Sequence, residues 1–353
     1  MRRRIVCAFL LFCAAFIAAQ DDLYLPYDAK DLTEDQQKSN PVYVAYPLSM
    51  QDKMMTAHCV LHVSGLGPFS VSEDRKVMFS KGNLQYKASA GQWRFAQHQW
   101  DYVGYATVGN VYEGGIKSDN TKVSQSYDGW IDLFCWGTSG WVSGANEYQP
   151  YSTSTTDADF YPGESQETDL TNDYRRADWG VYNEIEVYPA DVWRTMSRAE
   201  WAYLLGSRPR ARELFAFGSV GGVNGLIILP DDFVLPEGLT FTPSVTKGLT
   251  WQNATYSYYI NPNAQNYTHN TYTVEQWEQM QEANAVFLPA AGYRIGKMVT
   301  LIADYGFYWS VTHNGPDSNF FLYFSNSGLY PQEYNHRYIA RSVRLVYDLK
   351  QNP

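Results

Sequence analysis

The sequence predicts an α+β domain with short strands, two main helices and long ordered loops. Brief aromatic or β-branched runs bounded by turn residues are typical of short strands. Two other segments open with the side-chain chemistry of a helix start, which an all-β sandwich does not need. Residues 104–172 are rich in Gly, Ser, Thr, Asp and Tyr with weak periodicity. In a compact domain this composition indicates long loops held in place by their aromatic side chains.

Three short strands are predicted near the start of the domain. They cover residues 76–79, 83–86 and 92–95, and the turn signal Ser89-Ala90-Gly91 separates the last two. Near the C-terminus, side chains alternate at a period of two, which predicts strands with one buried face. The alternating residues are Phe321 and Tyr323 in one run, and Val343, Leu345 and Tyr347 in the other.

Both predicted helices begin with a capping box, in which two side chains each satisfy a backbone amide at the helix start. Ser197 and Glu200 form the first box, and Gly206 is expected to end that helix. Thr273 and Gln276 form the second box. Apolar residues follow at helical spacing in both segments. They are Trp201, Leu204 and Leu205 in the first helix, and Val274, Trp277 and Met280 in the second.

The N-terminus predicts an exported protein. Three arginines at positions 2–4, an uncharged apolar stretch over 5–17 and two alanines before Gln20 predict a signal peptide over residues 1–19. Residues 20–64 are predicted to form an exposed tether or linker. Aromatic residues then continue without an intervening linker, so residues 65–350 are predicted to form one domain. Periplasm, outer surface and extracellular medium all remain open as destinations.

The charge of the chain limits its partners. Removing the signal peptide takes away three arginines, so the formal charge moves from −10 to −13. This acidity argues against nucleic acid as a partner, because phosphates attract basic surfaces. It also argues against docking on anionic lipid. Past the signal peptide, no segment reaches the ~20 apolar residues that a bilayer span requires, so no transmembrane span is predicted.

Cysteine usage leaves two alternatives open. Cys59 and Cys135 remain after the signal peptide is removed, and an oxidising compartment permits one disulfide between them. The alternative is two unrelated thiols, with Cys135 a small buried residue. Neither cysteine has a partner at two-residue spacing, and His58 and His62 lack a third ligand, so no metal site is predicted.

Four segments carry a resemblance to a known family. Residues 194–203 and the pair 308–310 with 342–346 resemble the formylglycine-generating-enzyme (sulfatase-modifying factor) type of the C-type-lectin-like fold. Residues 128–140 and 225–232 resemble uncharacterised secreted paralogous proteins of Gram-negative gut anaerobes, and the C-terminal pair is similar to the C-terminus of those proteins. The C-terminal pair further resembles variable proteins diversified by retroelements. The resemblance covers roughly residues 65–347 and implies the fold of that family.

The catalytic residues of that family are not present. Its enzyme oxidises a cysteine with a copper-binding cysteine pair near the C-terminus, whereas this chain has no cysteine after Cys135. Sugar-binding C-type lectins hold Ca²⁺ with a Glu-Pro-Asn or Gln-Pro-Asp loop and a Trp-Asn-Asp motif. Gly315-Pro316-Asp317 shares only Pro-Asp, and Trp-Asn-Asp does not occur. No cofactor is therefore predicted.

Other catalytic patterns have simpler explanations. Asp231-Asp232 follows an apolar run, but adjacent strand residues point to opposite faces, and a turn at a strand end accounts for both. Glu184 and Glu186 fit solvated loop charge. No nucleophile elbow, phosphate loop or dinucleotide fingerprint occurs. A hydrolase with carboxylates distant in sequence remains open, because glycosidase pairs carry no local signature.

The C-terminal segment is the predicted ligand-binding region. It is rich in Tyr, Asn, His, Ser and Arg, the types that antibody loops use for rigid contact and adaptable hydrogen bonding. In the family that it resembles, this region forms an exposed ligand-facing surface. The candidate residues are Trp309, His313, Asn314, Asp317, Asn319, Asn326, Tyr330, Tyr334, Asn335, His336, Arg337 and Tyr338.

Three functions follow from these observations. The first is a secreted or surface-exposed, non-catalytic binding protein for a glycan or protein ligand. The second is a secreted hydrolase with a carboxylate pair that the sequence does not reveal. The third is a structural component of a surface assembly, attached through residues 20–64. The absence of the copper-binding cysteines favours binding over oxidase chemistry.

Overall fold

The chain folds as a mixed α+β structure of small sheets with few helices, seen in a computed structural model. The structure describes residues 68–103, 123–141, 148–161, 168–252, 255, 257–260, 267–325 and 328–349. The described residues other than 187–189 belong to one compact unit. The predicted signal peptide (1–19) and tether (20–64) lie outside the described residues.

Seventeen strands occur in the described residues, most of them short. The strands of the first half are β1 (Phe69–Ser70), β2 (Lys76–Phe79), β3 (Leu84–Lys87), β4 (Gln92–Phe95), β5 (Phe215–Val220), β6 (Val223–Ile228), β7 (Leu249–Gln252) and β8 (Ser257–Ile260). Those of the second half are β9 (Thr271–Tyr272), β10 (Val286–Pro289), β11 (Tyr293–Ile295), β12 (Met298–Thr300), β13 (Gly306–Asn314), β14 (Ser318–Ser325), β15 (Gly328–His336), β16 (Ile339–Ala340) and β17 (Val346–Asp348). The predicted strands at 76–79, 83–86 and 92–95 are confirmed, the second one residue later.

These strands form five sheets within the described part of the chain. Their orders are β1-β2-β17, β3-β4, β10-β6-β5-β9, β12-β11-β16 and β13-β14-β15-β8-β7. Only the β5–β9 pair is parallel among them. The five-stranded sheet contains the predicted ligand-binding region, because β13, β14 and β15 follow one another as hairpins.

Three α-helices are described, and two of them have the predicted capping boxes. They are α1 (Trp179–Tyr182), α2 (Arg198–Ala202) and α3 (Val274–Glu282). Ser197 accepts from the Glu200 amide at 3.2 Å, and Glu200 accepts from the Ser197 amide at 2.8 Å. Thr273 and Gln276 make the same pair of contacts at the start of α3.

The prediction that Gly206 ends the first helix is wrong. A π-helical turn, Tyr203–Ser207, continues from α2 and includes this glycine. A side chain at Gly206 would overlap the ring of Trp251. The glycine is therefore needed for the close approach of an aromatic ring, and not for a left-handed helix end. The Tyr258 hydroxyl donates to the Leu205 carbonyl at 2.6 Å and so satisfies a backbone group of this turn.

The main core lies between the five-stranded sheet and α2 with its π turn. One face of the sheet packs against the apolar side chains of that helical segment. The sheet contributes Tyr308, Leu322, Phe324 and Leu329, and the helical segment contributes Trp201, Leu204 and Leu205. A second cluster surrounds Trp277 and Met280 of α3. Of the alternating C-terminal residues, Phe321, Val343 and Leu345 are buried, whereas Tyr323 and Tyr347 are partly exposed.

Candidate binding surface

The β13–β14 hairpin and the end of β15 place many of the predicted residues side by side. Asn314 pairs with Ser318 across the hairpin, and Ser318 pairs with His336 on β15. Gly315 makes the turn with a φ of 67°, in the left-handed region that glycine adopts without strain. We name this region the hairpin-end surface. It consists of His313, Asn314, Asp317, Tyr334, Asn335, His336 and Tyr338, with Asp157, Tyr161 and Asp169 from neighbouring loops.

A carboxylate fixes the imidazole of His313. The Asp169 Oδ1 atom lies 2.6 Å from His313 Nδ1 and accepts from the His313 amide at 2.9 Å. The next residue of that loop, Leu170, donates its amide to the Val311 carbonyl on β13 at 2.9 Å. A carboxylate at Nδ1 favours a proton on that nitrogen and fixes the orientation of the ring.

A second carboxylate fixes His336 in the same way. One oxygen of Asp157 lies 2.7 Å from His336 Nδ1, and the other accepts from the Arg337 amide at 2.7 Å. The His336 ring stacks on Tyr338, with centroids 4.9 Å apart and planes 19° apart. The ring of Tyr334, which is 55% exposed, forms a T-shaped pair with Phe320, with centroids 5.9 Å apart. The end of β15 therefore presents aromatic rings together with an oriented imidazole.

Tyr161 and Arg337 support the hairpin turn. The Tyr161 hydroxyl donates to Asp317 at 2.7 Å, and burial together with this contact raises the pKa of the phenol to about 12. The rings of Tyr161 and Trp136 lie 4.8 and 4.9 Å from the Arg337 guanidinium. Arg337 also donates to the Gly315 carbonyl at 3.2 Å. Burial lowers the pKa of Arg337, and cation–π contact offsets part of that desolvation.

Three predicted site residues are buried and are corrected here to packing residues. Trp309 is 1% exposed, and its indole donates to the Phe134 carbonyl at 2.7 Å. Asn319 and Arg337 are fully buried. A ligand at the surface reaches none of these side chains. Arg337 acts on the hairpin-end surface indirectly, because it holds the turn and is covered by two aromatic rings.

Tyr330 belongs to a different region of the sheet, and Asn326 lies outside the described residues. Tyr330 is six residues from His336 on β15, which corresponds to ~20 Å at the rise of an extended strand. Its ring stacks on Tyr323 with centroids 5.1 Å apart, and Tyr323 stacks on Phe307 at the same spacing. We therefore exclude Tyr330 from the hairpin-end surface.

Sequence reasoning missed the loop residues that orient this surface. Asp157, Tyr161 and Asp169 all lie in the segment predicted to form long ordered loops, and Trp136 lies there too. The abundance of aromatic and acidic residues in that segment was the sequence signal that could have indicated this role. Their pairing with residues about 150 or more positions away is a property of the fold, which no local motif encodes.

Cys135 is a free, fully buried cysteine whose Sγ lies 3.3 Å from the Tyr338 carbonyl oxygen. Burial raises the pKa of this thiol. Cys59, the other member of the suggested disulfide, lies outside the described residues, as do His58 and His62. Across the described residues, no three His, Cys, Asp or Glu side chains are grouped closely enough to hold a metal ion.

The two acidic pairs considered for catalysis have structural contacts. Asp231 accepts from the Ser70 hydroxyl at 2.6 Å and from the buried guanidinium of Arg208 at 3.0 Å, and Asp232 is exposed. Glu186 forms an ion pair with Lys81 at 2.9 Å. Glu184 is exposed. Asp231 therefore anchors β1 and pairs with a buried cation. These contacts are structural.

No family model, curated protein or solved structure matches this chain. Among the described residues, no helix has both the length and the apolar character needed to cross a membrane.

Proposed function

We propose that this protein is an exported, non-catalytic binding protein that recognises a glycan or protein ligand through the hairpin-end surface. One observation carries the proposal: carboxylates from neighbouring loops hold both imidazoles of this surface in fixed orientations, the exposed ring of His336 and the partly exposed ring of His313. Those contacts are His313 to Asp169 and His336 to Asp157. Side chains that are already ordered lose little conformational entropy when a ligand binds, which favours affinity.

The composition of the surface supports recognition. Rings of Tyr334, His336 and Tyr338 offer flat faces, and Asn335 offers an amide on the same strand end. Such mixtures of rigid aromatic and adaptable polar groups are typical of paratopes. The strands beneath them form a hydrogen-bonded sheet, and recognition residues on loops over a rigid scaffold are a common arrangement.

Export and the C-type-lectin-like architecture are parts of the same proposal. The signal-peptide pattern over residues 1–19 supports export. Two features support the lectin-like fold: β1 and β17 lie on either side of β2 in one sheet, and the capping box at Ser197 opens the helix that packs on the five-stranded sheet. In such a fold, the face formed by late strands is the expected ligand-binding side.

Binding of the mature protein, residues 20–353, to a glycan array and an extracellular-protein array tests the proposal. A triple variant with Tyr334→Ala, His336→Ala and Tyr338→Ala removes the flat faces of the hairpin-end surface. The matched control is Tyr330→Ala with His98→Ala, which changes the same residue types outside that surface. We expect selective wild-type binding that the triple variant loses and the control retains.

Two results would overturn the proposal. One is a triple variant that binds as the wild type does while its melting temperature is unchanged. The other is a wild-type protein that binds nothing on either array.

Deleting residues 20–64 distinguishes the hypothesis of a surface-assembly component from that of ligand recognition. If these residues are a tether, the deletion reduces retention at the cell surface and leaves ligand binding intact.

A further inference from the structure

The chain contains two Asn-Gly pairs, and the structure places them in opposite surroundings. Asn314 is the last residue of β13, and Gly315 begins the turn of the β13–β14 hairpin. Asn224 and Gly225 lie within β6, which runs between β5 and β10. In an Asn-Gly pair the backbone nitrogen of the glycine reaches the side-chain carbon of the asparagine easily, because glycine has no Cβ to obstruct the approach.

The hairpin turn leaves room for that approach at Asn314. Gly315 has a φ of 67°, and apart from its chain neighbours no heavy atom lies within 4 Å of the position that a Cβ on it would occupy. Among the described residues, no backbone carbonyl accepts from the Gly315 amide. Asn314 and Gly315 are partly exposed, and Pro316 and Asp317 are exposed, so water reaches the turn.

Ser318 contacts two groups of Asn314. Its hydroxyl donates to the backbone carbonyl oxygen of Asn314 at 2.5 Å and accepts from the side-chain Nδ2 at 3.0 Å. The Gly315 nitrogen becomes a nucleophile only after it loses its proton. A donor at the carbonyl of the same peptide bond stabilises the resulting negative charge. Ser318 therefore favours attack by the Gly315 nitrogen.

The second Asn-Gly pair lies in crowded, regular structure. A Cβ at Gly225 would lie 2.4 Å from the Leu288 carbonyl oxygen and from the Phe287 ring. The Asn224 side chain donates to the Ala303 carbonyl at 2.9 Å. Because strands on both sides hold this backbone extended, ring closure between Asn224 and Gly225 requires the sheet to open.

We propose that Asn314 is a site of spontaneous deamidation, which changes the turn of the hairpin-end surface. The Gly315 nitrogen gives its proton to solvent base and bonds to Asn314 Cγ, and the bond between Cγ and Nδ2 breaks with release of ammonia. Water then opens the cyclic imide at either carbonyl. Opening at Cγ gives aspartate, and opening at the backbone carbonyl gives isoaspartate, which places an additional carbon in the chain. Both products add a negative charge to the surface.

Ageing of the mature protein in water enriched in heavy oxygen tests the proposal. Each conversion takes one oxygen atom from the solvent, and peptide mapping by mass spectrometry locates it. Digestion in ordinary water ensures that conversion during sample preparation carries no label. We expect labelling at Asn314 that accelerates with rising pH and is more than about tenfold faster than at Asn224, because Asn224 reacts only after local opening of the sheet.

Two variants examine the mechanism. Asn314→Gln keeps the amide but would close a larger ring, so it should take up no label at this position. Ser318→Ala should slow the conversion of Asn314 by about threefold, the effect of losing one hydrogen bond.

Three results would overturn the proposal. They are equal labelling of Asn314 and Asn224 in the folded protein, labelling of Asn314 only after unfolding in urea, and unchanged or faster conversion in Ser318→Ala. The readout is a mass and uses no ligand, so its outcome is independent of the proposed binding function.

Discussion

Arg194 and Glu200 form a two-point ion pair: the Nη1 and Nη2 atoms of the arginine donate to the two carboxylate oxygens at 2.9 and 2.7 Å. The same guanidinium also donates twice to Asp348 on β17, at 2.6 and 2.7 Å. Glu200 meanwhile completes the capping box with Ser197. One arginine thus joins the start of α2 to the last described strand.

Arg194→Lys should destabilise the protein. A lysine keeps the charge but cannot contact both carboxylates in the planar geometry of a guanidinium. Because Glu200 is mostly buried, its partly unpaired carboxylate should cost about 2 kcal/mol of unfolding free energy, measured by urea denaturation. Arg175→Lys is the control, since its pair with Asp191 is more than half exposed and should change stability by less than about 0.5 kcal/mol. Equal effects at both positions would contradict the explanation.

Gly206→Ala should be destabilising although alanine is a better helix former. The added methyl group overlaps the Trp251 ring, and overpacking of this kind costs about 1–3 kcal/mol. Combining it with Trp251→Leu should recover part of that loss, so a double-mutant cycle measures the clash. If the stability effects of the two substitutions are simply additive, contact with the Trp251 ring does not explain why position 206 is a glycine.

Asp132→Asn should change the pH dependence of stability. Burial raises the pKa of this carboxyl from 3.8 to about 7, against the effect of the Val103 amide, which donates to it at 2.7 Å. The folded protein therefore binds a proton more tightly than the unfolded chain. The stability that this proton contributes is complete below pH ~4 and is lost as the pH rises through about 7.

The measurement is the unfolding free energy of wild type and Asp132→Asn between pH 4.5 and 8. The wild type should lose about 3 kcal/mol relative to the variant over that range. Asp178, whose pKa burial raises to about 6, titrates in both proteins and cancels in the comparison. Asp128→Asn, at an exposed carboxyl, should leave the slope above pH 5 unchanged. Parallel curves for wild type and Asp132→Asn would contradict the prediction.

Asp157→Ala should weaken ligand binding although it leaves all the rings of the hairpin-end surface in place. The carboxylate orients His336 and accepts from the Arg337 amide, so its loss frees the end of β15. We expect about tenfold lower affinity for whichever ligand the arrays identify, measured by calorimetric titration. Asp173→Ala, an exposed carboxylate near the start of a different helical turn, should bind as wild type does. Unchanged affinity in Asp157→Ala would show that the orientation of His336 does not contribute to ligand binding.

Local chemistry made part of this fold predictable. Both capping boxes and the short strands near residue 76 follow from side chains within a few positions of each other, so a single sequence contains the information. The prediction of a helix end at Gly206 was wrong because glycine is favoured both at helix ends and where an aromatic ring approaches the backbone closely. Only the position of Trp251 separates the two explanations.

The candidate surface was predictable in composition but not in orientation. The pairing of β13 with β14 shifts between Trp309 and His313, so alternation at a period of two does not carry through the strand. Trp309 is buried and His313 is partly exposed, although the two positions are an even number of residues apart. Likewise, nothing near Arg337 in sequence reveals that Trp136 and Tyr161 cover it.

The position of β2 between β1 and β17 has a consequence for the order of folding. Val77 pairs with Asp348, roughly 270 residues later, so this sheet closes across almost the whole domain. Until β17 arrives, β2 lacks one neighbour and Arg194 lacks the carboxylate of Asp348. The domain therefore completes its structure only after nearly all of it has been synthesised.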